Sequence, residues 1–204
     1  MSKTRINPNV LYLTELAVLL AIVVLMGFTP IGYLKTAGLE ITLITVPVIL
    51  GAIILDEKAG AILGLAFGLT SFMQCVMGTS AFGVILMGIS VWRCFLVCVP
   101  TRLLMGYLCG LIFKAFKSKN ALAFGVSGLS GALLNTLFFM TTLMLCFWHT
   151  DLIQGFATQL GTANVFAFVL AFVGINGLIE AVACTVLAVA IAVPLYKYVN
   201  TNLR

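Results

Sequence analysis

The sequence predicts an all-α membrane protein: a single-domain bundle of six transmembrane helices (residues 1–204) with both termini in the cytoplasm. Three observations lead to this fold class: an apolar composition, apolar runs of spanning length, and basic residues gathered on one side of the predicted membrane. The 204 residues are 62% hydrophobic and 8% charged, with a mean hydropathy of +1.20, whereas soluble chains are about 25% charged. This composition excludes a soluble protein. The six cysteines lie in apolar stretches without a C-x-x-C pair, which excludes a secreted disulfide scaffold.

A spanning helix needs about 20 mostly apolar residues, and charges, glycines and prolines divide the chain into runs of roughly this length. The predicted spans are residues 11–29, 41–55, 59–77, 100–116, 121–147 and 166–195. The first run follows basic residues, as in a signal peptide, but it lacks a small-x-small cleavage site before Pro30, so we expect it to be retained. Residues 83–99 are predicted to form an outward hydrophobic loop, either exposed or re-entrant, because Pro100 suits the first turn of a helix.

The positive charges predict how the chain is oriented in the membrane. With six spans, one side holds eight basic residues, and only Lys35 and Arg93 lie in loops on the other side. By the positive-inside rule the richer side is cytoplasmic, whereas a seventh span within residues 81–116 would place the C-terminus outside. The net charge of +5 comes from dispersed residues rather than from a patch, so no nucleic-acid partner is expected.

Motifs for catalysis and for metal binding are missing from the sequence. There is no G-x-x-x-x-G-K-[ST] phosphate loop for ATP hydrolysis. The single histidine, His149, has no second histidine at ligand spacing, so no metal site is predicted. Asp56 and Asp151 fall in loops on opposite sides of the membrane and cannot pair as protease aspartates. The sequence therefore predicts a protein that is not an enzyme and needs no cofactor.

Three of the predicted spans carry small residues at every fourth position. Such residues share a helix face and let membrane helices approach closely. The spacings are Ala17-x-x-x-Ala21, Gly60-x-x-x-Gly64-x-x-x-Gly68 and Gly106-x-x-x-Gly110. For the glycines we expect packing within the chain.

Intramembrane polar residues are costly and are usually functional, and four of them fall at similar depths. Arg102, Asn135 and Glu180 lie about 22–25 Å from the cytoplasmic lysines at 1.5 Å rise per residue, with Asn176 one turn beyond Glu180. This depth is in the outer half of the membrane. Two interpretations follow: a structural salt bridge between Arg102 and Glu180 with the amides joining helices, or a substrate-binding cavity open to the outside.

The chain resembles the substrate-binding S component of energy-coupling factor (ECF) vitamin transporters. The segments Thr42–Ala52 and Lys58–Phe72, the pair Asn135-Thr136 and the motif Asn176-x-x-x-Glu180 carry the resemblance over nearly the whole length. Thr29–Gly32 and the second predicted span are most similar to the pantothenate type. Pro100-Thr101-Arg102 departs from that type by one extra residue, since Pro-Arg is expected there.

The resemblance implies a mechanism of vitamin import through the bacterial plasma membrane. An S component binds a vitamin from outside, associates with a T component and two ATPase subunits, and topples in the membrane to release its cargo inside. Ala17 and Ala21 match the motif that docks onto the T component. Trp92 and Arg93, in the predicted outward loop, are candidates for a lid over the ligand.

The polar residues favour a small anionic, hydroxylated vitamin, with pantothenate first. Arg102 and Arg93 offer cations for a carboxylate, while Asn135, Asn176 and Glu180 offer partners for amide and hydroxyl groups. Riboflavin and folate are the alternative substrates, and both would rely more on aromatic stacking. Two other classes stay open: a non-transporting membrane scaffold of the cell-shape type, and a standalone secondary carrier, for which no repeated half is evident.

Overall fold

The computed structural model describes residues 7–35, 40–116 and 120–202. The predicted orientation rests partly on residues that lie outside the described ones: Lys3, Arg5, Lys117, Lys119 and Arg204. The described elements are α1 (Pro8–Gly27), β1 (Tyr33–Lys35), β2 (Glu40–Thr42), α2 (Thr45–Ile54), α3 (Glu57–Met77), α4 (Ala81–Ile89), α5 (Val91–Ala115), α6 (Ala121–Phe147), α7 (Asp151–Gln159) and α8 (Val165–Asn202).

Polar residues at the ends of the apolar runs define where the helices begin. Asn7, Asp56, Ser80, Ser90 and Asn120 each accept a hydrogen bond from a backbone N–H of the first turn that follows. Side-chain caps of this kind satisfy donors that have no partner inside the helix. The short polar residues between apolar runs therefore act as start signals for helices α1, α3, α4, α5 and α6.

The membrane class predicted from composition is confirmed. In the described part of the chain, five helices are long and apolar enough to cross a membrane: α1, α3, α5, α6 and the Gly177–Val199 part of α8. The predicted second span, residues 41–55, is instead a shorter element, because β2 occupies its beginning and α2 has only 10 residues. All ten residues of α2 are buried, so this helix lies in the middle of the bundle.

Residues 83–99 are not the loop that the sequence predicted. They belong to α4 and to the first turns of α5, and Ser90 separates the two helices. The fourth predicted span therefore begins at Val91 rather than at Pro100. Pro100 lies inside α5, where the Val97 carbonyl accepts hydrogen bonds from the Thr101 hydroxyl (2.6 Å) and the Arg102 guanidinium (2.5 Å). Polar side chains thus bind a backbone carbonyl close to the proline, and α5 continues through Pro100.

Helix α8 contains a sharp kink within the predicted sixth span, residues 166–195. Gly174 has φ 40° and ψ −134°, a backbone conformation that glycine adopts readily because it has no Cβ atom. The kink separates a short apolar segment, Val165–Gly174, from the spanning segment Gly177–Val199. The first segment can therefore lean over the bundle in a direction different from that of the spanning segment.

Glycine spacing brings α3 and α5 into backbone contact. A Cβ atom at Gly60 would meet the Gly106 carbonyl, one at Gly64 would meet the Arg102 carbonyl, and one at Gly68 would lie 2.7 Å from Val99 Cα. These contacts confirm that the glycine motifs serve packing within the chain, as small residues commonly do between membrane helices.

Five helix ends meet at one end of the bundle, which we call the closed end. Tyr12 of α1 donates a hydrogen bond to Asp56, just before α3, at 3.2 Å. Lys114 of α5 forms an ion pair with Glu57 of α3 at 2.6 Å. The rings of Phe113, Phe124 and Tyr196 join the end of α5, the start of α6 and the end of α8, with centroids 5.2–5.9 Å apart. Both ends of the described chain therefore lie on the same side of the bundle.

Candidate functional site

A cavity of about 350 Å³ lies at the other end of the bundle, which we call the cavity end. Its walls come from the β1–β2 hairpin, the last turns of α3, the helix α4, the first half of α5, the middle of α6 and the kinked region of α8. The polar residues on its walls are Tyr33, Thr42, Ser71, Gln74, Thr79, Ser80, Arg102, Asn135, Thr136 and Glu180. A mostly apolar recess with a few convergent polar side chains is the form that small-molecule sites usually take.

Three elements distant in sequence meet at Glu180 on one wall of this cavity. Thr42, at the end of β2, donates to the Glu180 carboxylate through its hydroxyl at 2.6 Å and through its backbone N–H at 3.3 Å. The side-chain amide of Asn135 on α6 donates to the same carboxylate at 3.2 Å. Asn135 Oδ1 is buried and has no hydrogen-bond partner among the described residues. The network therefore presents a carboxylate held in place and a spare amide oxygen.

The hairpin is tied to the rest of the bundle through Thr42. In addition to its two bonds to Glu180, its carbonyl accepts a hydrogen bond from the Thr45 hydroxyl at 3.0 Å. The Cys184 thiol of α8 lies 3.6 Å from the same carbonyl. Thr42 thus connects the end of β2 to the start of α2 and to α8. Sequence reasoning missed it as a site residue because it lies at the edge of a predicted span, where a threonine is unremarkable.

Arg102 is only 5% exposed, yet no carboxylate pairs with it among the described residues. Its guanidinium donates to the Val97 carbonyl and to the Thr101 hydroxyl (3.2 Å), and it lies 5.3 Å from the ring centroid of Phe67 and 4.8 Å from that of Phe139. Arg102 Nε has no partner among the described residues. The expected alternative, a structural salt bridge between Arg102 and Glu180, is not formed in this structure. A buried cation of this kind, in a cavity wall, is suited to an anionic ligand.

The predicted site residues are partly brought together. Arg102, Asn135 and Glu180 line the same cavity. Asn176 lies on α8 one turn before Glu180, but its side chain is outside the described residues. Gln74, near the last turn of α3 at the cavity end, also lines the cavity and donates to the Gly27 carbonyl at the end of α1. Sequence reasoning missed Gln74 as a site residue. The signal that could have found it is a side-chain amide near the end of an otherwise apolar span.

The candidate lid residues lie away from the cavity. Trp92 and Arg93 are in the first turn of α5 rather than in a loop, and neither is among the described residues that line the cavity. Trp92 is 66% exposed and stacks on Phe95 with centroids 5.5 Å apart, while Arg93 donates to the Cys146 carbonyl at 3.2 Å. Helix α4 covers the cavity instead, through Ala81, Phe82, Gly83 and Leu86.

Ala17 and Ala21 are exposed on the outer face of α1. They share that face with the large apolar side chains of Val18, Leu25 and Phe28, which are 52–65% exposed. The two alanines are therefore available for contact outside this chain, whether with lipid or with another subunit.

Apolar spanning helices around a cavity with convergent polar side chains define a multi-pass membrane protein suited to hold a small molecule. The sequence model of the family described as "ECF transporter, substrate-specific component" matches residues 11–192. The chain belongs to this family, which confirms the resemblance drawn from the sequence and decides against a non-transporting scaffold. The chain is also 31% identical over 170 residues to the pantothenic acid transporter PanT of Lactococcus lactis subsp. cremoris (strain MG1363), covering 79% of this chain and 80% of that protein.

Proposed function

We propose that this protein captures pantothenate from outside the bacterial plasma membrane and delivers it inward together with a T component and two ATPase subunits. The observation that carries the substrate assignment is Arg102, a buried cation in the cavity wall without a carboxylate partner among the described residues. The pantothenate carboxylate would pair with the Arg102 guanidinium. The similarity to a pantothenic acid transporter supports the same choice.

The rest of the cavity fits the remaining groups of such a ligand. The free Oδ1 of Asn135 can accept a hydrogen bond from an amide N–H or a hydroxyl group, and the Glu180 carboxylate has further acceptor capacity beyond Thr42 and Asn135. The volume of about 350 Å³ is at the lower end of the 300–1,000 Å³ range of ligand sites. This size favours a small vitamin over riboflavin or folate.

We further propose that the closed end faces the cytoplasm and that the chain crosses the membrane six times. The first residues of α1 and the last residues of α8 lie at the same end, which requires an even number of crossings. Five helices of the described chain are long enough to cross the membrane, so α2 and the hairpin together make the sixth crossing, although α2 has only 10 residues. The cavity then opens toward the outside, in agreement with the excess of basic residues on the opposite side.

The substrate is tested by isothermal titration of the purified full-length protein with pantothenate and, separately, with riboflavin. We expect binding of pantothenate alone. Arg102→Gln should weaken it about 100-fold, since removing one partner of a buried hydrogen-bonded charge pair costs about 2–5 kcal/mol. Lys58→Gln is the matched control, because it also removes one positive charge but changes an exposed residue of α3 outside the cavity. Tight riboflavin binding, or an equal loss in both variants, would contradict the substrate assignment.

The partnership is tested at the exposed small residues of α1. Ala17→Leu and Ala21→Leu add bulk where the T component would meet this helix, so uptake of labelled pantothenate by cells should fall strongly. Binding of pantothenate by the isolated variants should be unchanged, because the two alanines are far from the cavity lining. Leu13→Ala, on the same helix, removes bulk from another exposed position and is expected to keep both uptake and binding. Parallel loss of binding and uptake in the alanine variants would show that these residues serve this chain's own fold.

A further inference from the structure

Three buried thiols meet beside the cavity, although they come from two helices. Cys75 lies near the end of α3, and Cys94 and Cys98 lie one turn apart on α5. Their Sγ atoms are all within 4.8 Å of one another, and all three residues are buried. The sequence analysis predicted no metal site, since His149 has no second histidine at ligand spacing and the cysteines form no C-x-x-C pair. Cys75 is separated from the other two cysteines by 19 residues or more. Only the packing of α3 against α5 brings the three sulfur atoms together.

We propose that Cys75, Cys94 and Cys98 form a binding site for a soft divalent metal ion of the zinc and cadmium type. Thiolates are the preferred ligands of such ions. With Zn–S bonds of about 2.3 Å, the sulfur atoms of a tetrahedral site lie about 3.8 Å apart. The three thiols therefore need to move by about 1 Å at most, within the reach of small side-chain rotations.

The surroundings of the three thiols suit a charged metal complex. Three thiolates and a divalent ion carry a net charge of −1, and Arg102 lies one turn after Cys98 on the same helix. In the protein without vitamin, the guanidinium and the complex together are neutral, which matters because unbalanced charge is costly inside a membrane. The Ser71 hydroxyl lies 4.0 Å from Cys98 Sγ and can donate to that thiolate, which is the kind of contact that orients a metal ligand. The Cys75 thiol donates to the Ser71 carbonyl at 3.3 Å and gives up this hydrogen bond when it loses its proton on binding the metal.

The cavity gives the ion a route to the thiols. Cys75 and Cys98 both line it, whereas Cys94 is fully buried behind them. The fourth coordination position of the metal then faces the cavity, where water or a ligand oxygen completes the tetrahedron, as in zinc sites with three protein ligands. The protons of the three thiols leave through the same opening, so binding should weaken as the pH falls. Gly83 of α4 packs directly against Cys75 Sγ and covers the site from above.

The test uses cadmium ion as the probe on the purified, reduced full-length protein without vitamin. Cadmium bound to thiolates gives an ultraviolet charge-transfer band, and we expect it to saturate at one ion per chain. Cys75→Ala and Cys98→Ala should each lose the saturating band. Cys109→Ala and Cys184→Ala are the matched controls, since both remove a buried thiol of the same kind elsewhere in the bundle and should keep the band.

A second measurement protects the test against variants that fold poorly. In the wild-type protein, one equivalent of cadmium should slow alkylation of Cys75 and Cys98, followed by mass spectrometry of peptides, and leave the alkylation of Cys146 unchanged. The absence of a saturable band in the wild-type protein, or equal loss in the control variants, would overturn the proposed site. Because no vitamin is present, failure here leaves the pantothenate assignment intact, and failure of pantothenate binding leaves the metal site intact.

Discussion

The two halves of the α3–α5 pair use the same helices in opposite ways. Toward the closed end, Gly60 and Gly64 bring the two backbones into contact, and no space is left between them. Toward the cavity end, Ser71, Gln74 and Cys75 face Val97, Cys98 and Arg102 around an open volume. The change occurs within about two turns, after Gly68. Where glycine spacing ends, larger polar side chains keep the helices from closing and leave room for a ligand.

This difference teaches that one helix pair can supply both rigidity and a binding site. The closed end holds the helices in register through backbone packing, an ion pair and an aromatic cluster. The cavity end is held by hydrogen bonds between side chains and backbone, such as those of Thr42 with Glu180. Substitutions at the closed end should therefore affect folding, and substitutions at the cavity end should affect binding.

The largest effect is expected from filling the closed end. Gly64→Leu would place a side chain against the Arg102 backbone, which cannot move aside without separating α3 from α5. Overpacking of a core costs about 1–3 kcal/mol, and contact with backbone atoms of α5, which cannot rotate away, puts this variant at or above the upper limit. We expect little monodisperse protein on size-exclusion chromatography and a markedly lower unfolding temperature.

Gly125→Leu provides the control for this variant. A Cβ atom at Gly125 of α6 meets no other atom within 4 Å, so the same change should be tolerated there. If Gly64→Leu were as stable as Gly125→Leu, the closed end would not be the rigid half of the bundle, and the contrast between the two halves would fail.

A smaller, selective effect is expected at the cavity end from Asn135→Ala. The change removes the free amide oxygen and one donor to Glu180, and the loss of a buried hydrogen-bond partner costs about 1–3 kcal/mol. Pantothenate affinity should fall about tenfold, with the unfolding temperature changed little. Ser130→Ala, on the same helix but outside the cavity lining, should leave affinity at the wild-type level. A lower unfolding temperature with unchanged pantothenate affinity would show that Asn135 has only a structural role.

The smallest effect is expected at helix α4, which covers the cavity. This prediction distinguishes α4 from Trp92, the lid residue predicted from the sequence, as the element that retains the ligand. Phe82 of α4 contacts Phe172 of α8 and Phe156 of α7, with centroids 6.0 and 6.4 Å apart, so Phe82→Ala should loosen the cover. An aromatic pair contributes about 0.5–1.5 kcal/mol, and a cover weakened by the equivalent of one pair corresponds to a pantothenate dissociation rate about two- to twelvefold faster. Trp92→Ala should leave the rate unchanged, because Trp92 lies outside the cavity lining. A faster rate for Trp92→Ala alone would restore the lid predicted from the sequence.

Much of the bundle could be predicted from local pattern. The predicted spans 11–29, 59–77 and 121–147 differ by at most three residues from α1, α3 and α6, because each apolar run begins after a capping residue that also starts the helix. The start of α5 was missed by nine residues because Pro100 resembled a helix start. In the folded chain α5 continues through Pro100, and the side chains of Thr101 and Arg102 bind the nearby Val97 carbonyl.

The sequence by itself determined the membrane class, the family and the bounds of three spans to within three residues, since hydropathy and capping residues are properties of single segments. From helix rise it also predicted one depth for Arg102, Asn135 and Glu180. Only the tertiary structure decided that Glu180 pairs with Thr42 rather than with Arg102, and that Cys75 meets Cys94 and Cys98. These contacts join segments separated by 19 to 138 residues. Their partners depend on how far each helix is rotated and shifted against its neighbours, and that is decided by packing between helices rather than by the pattern along any one of them.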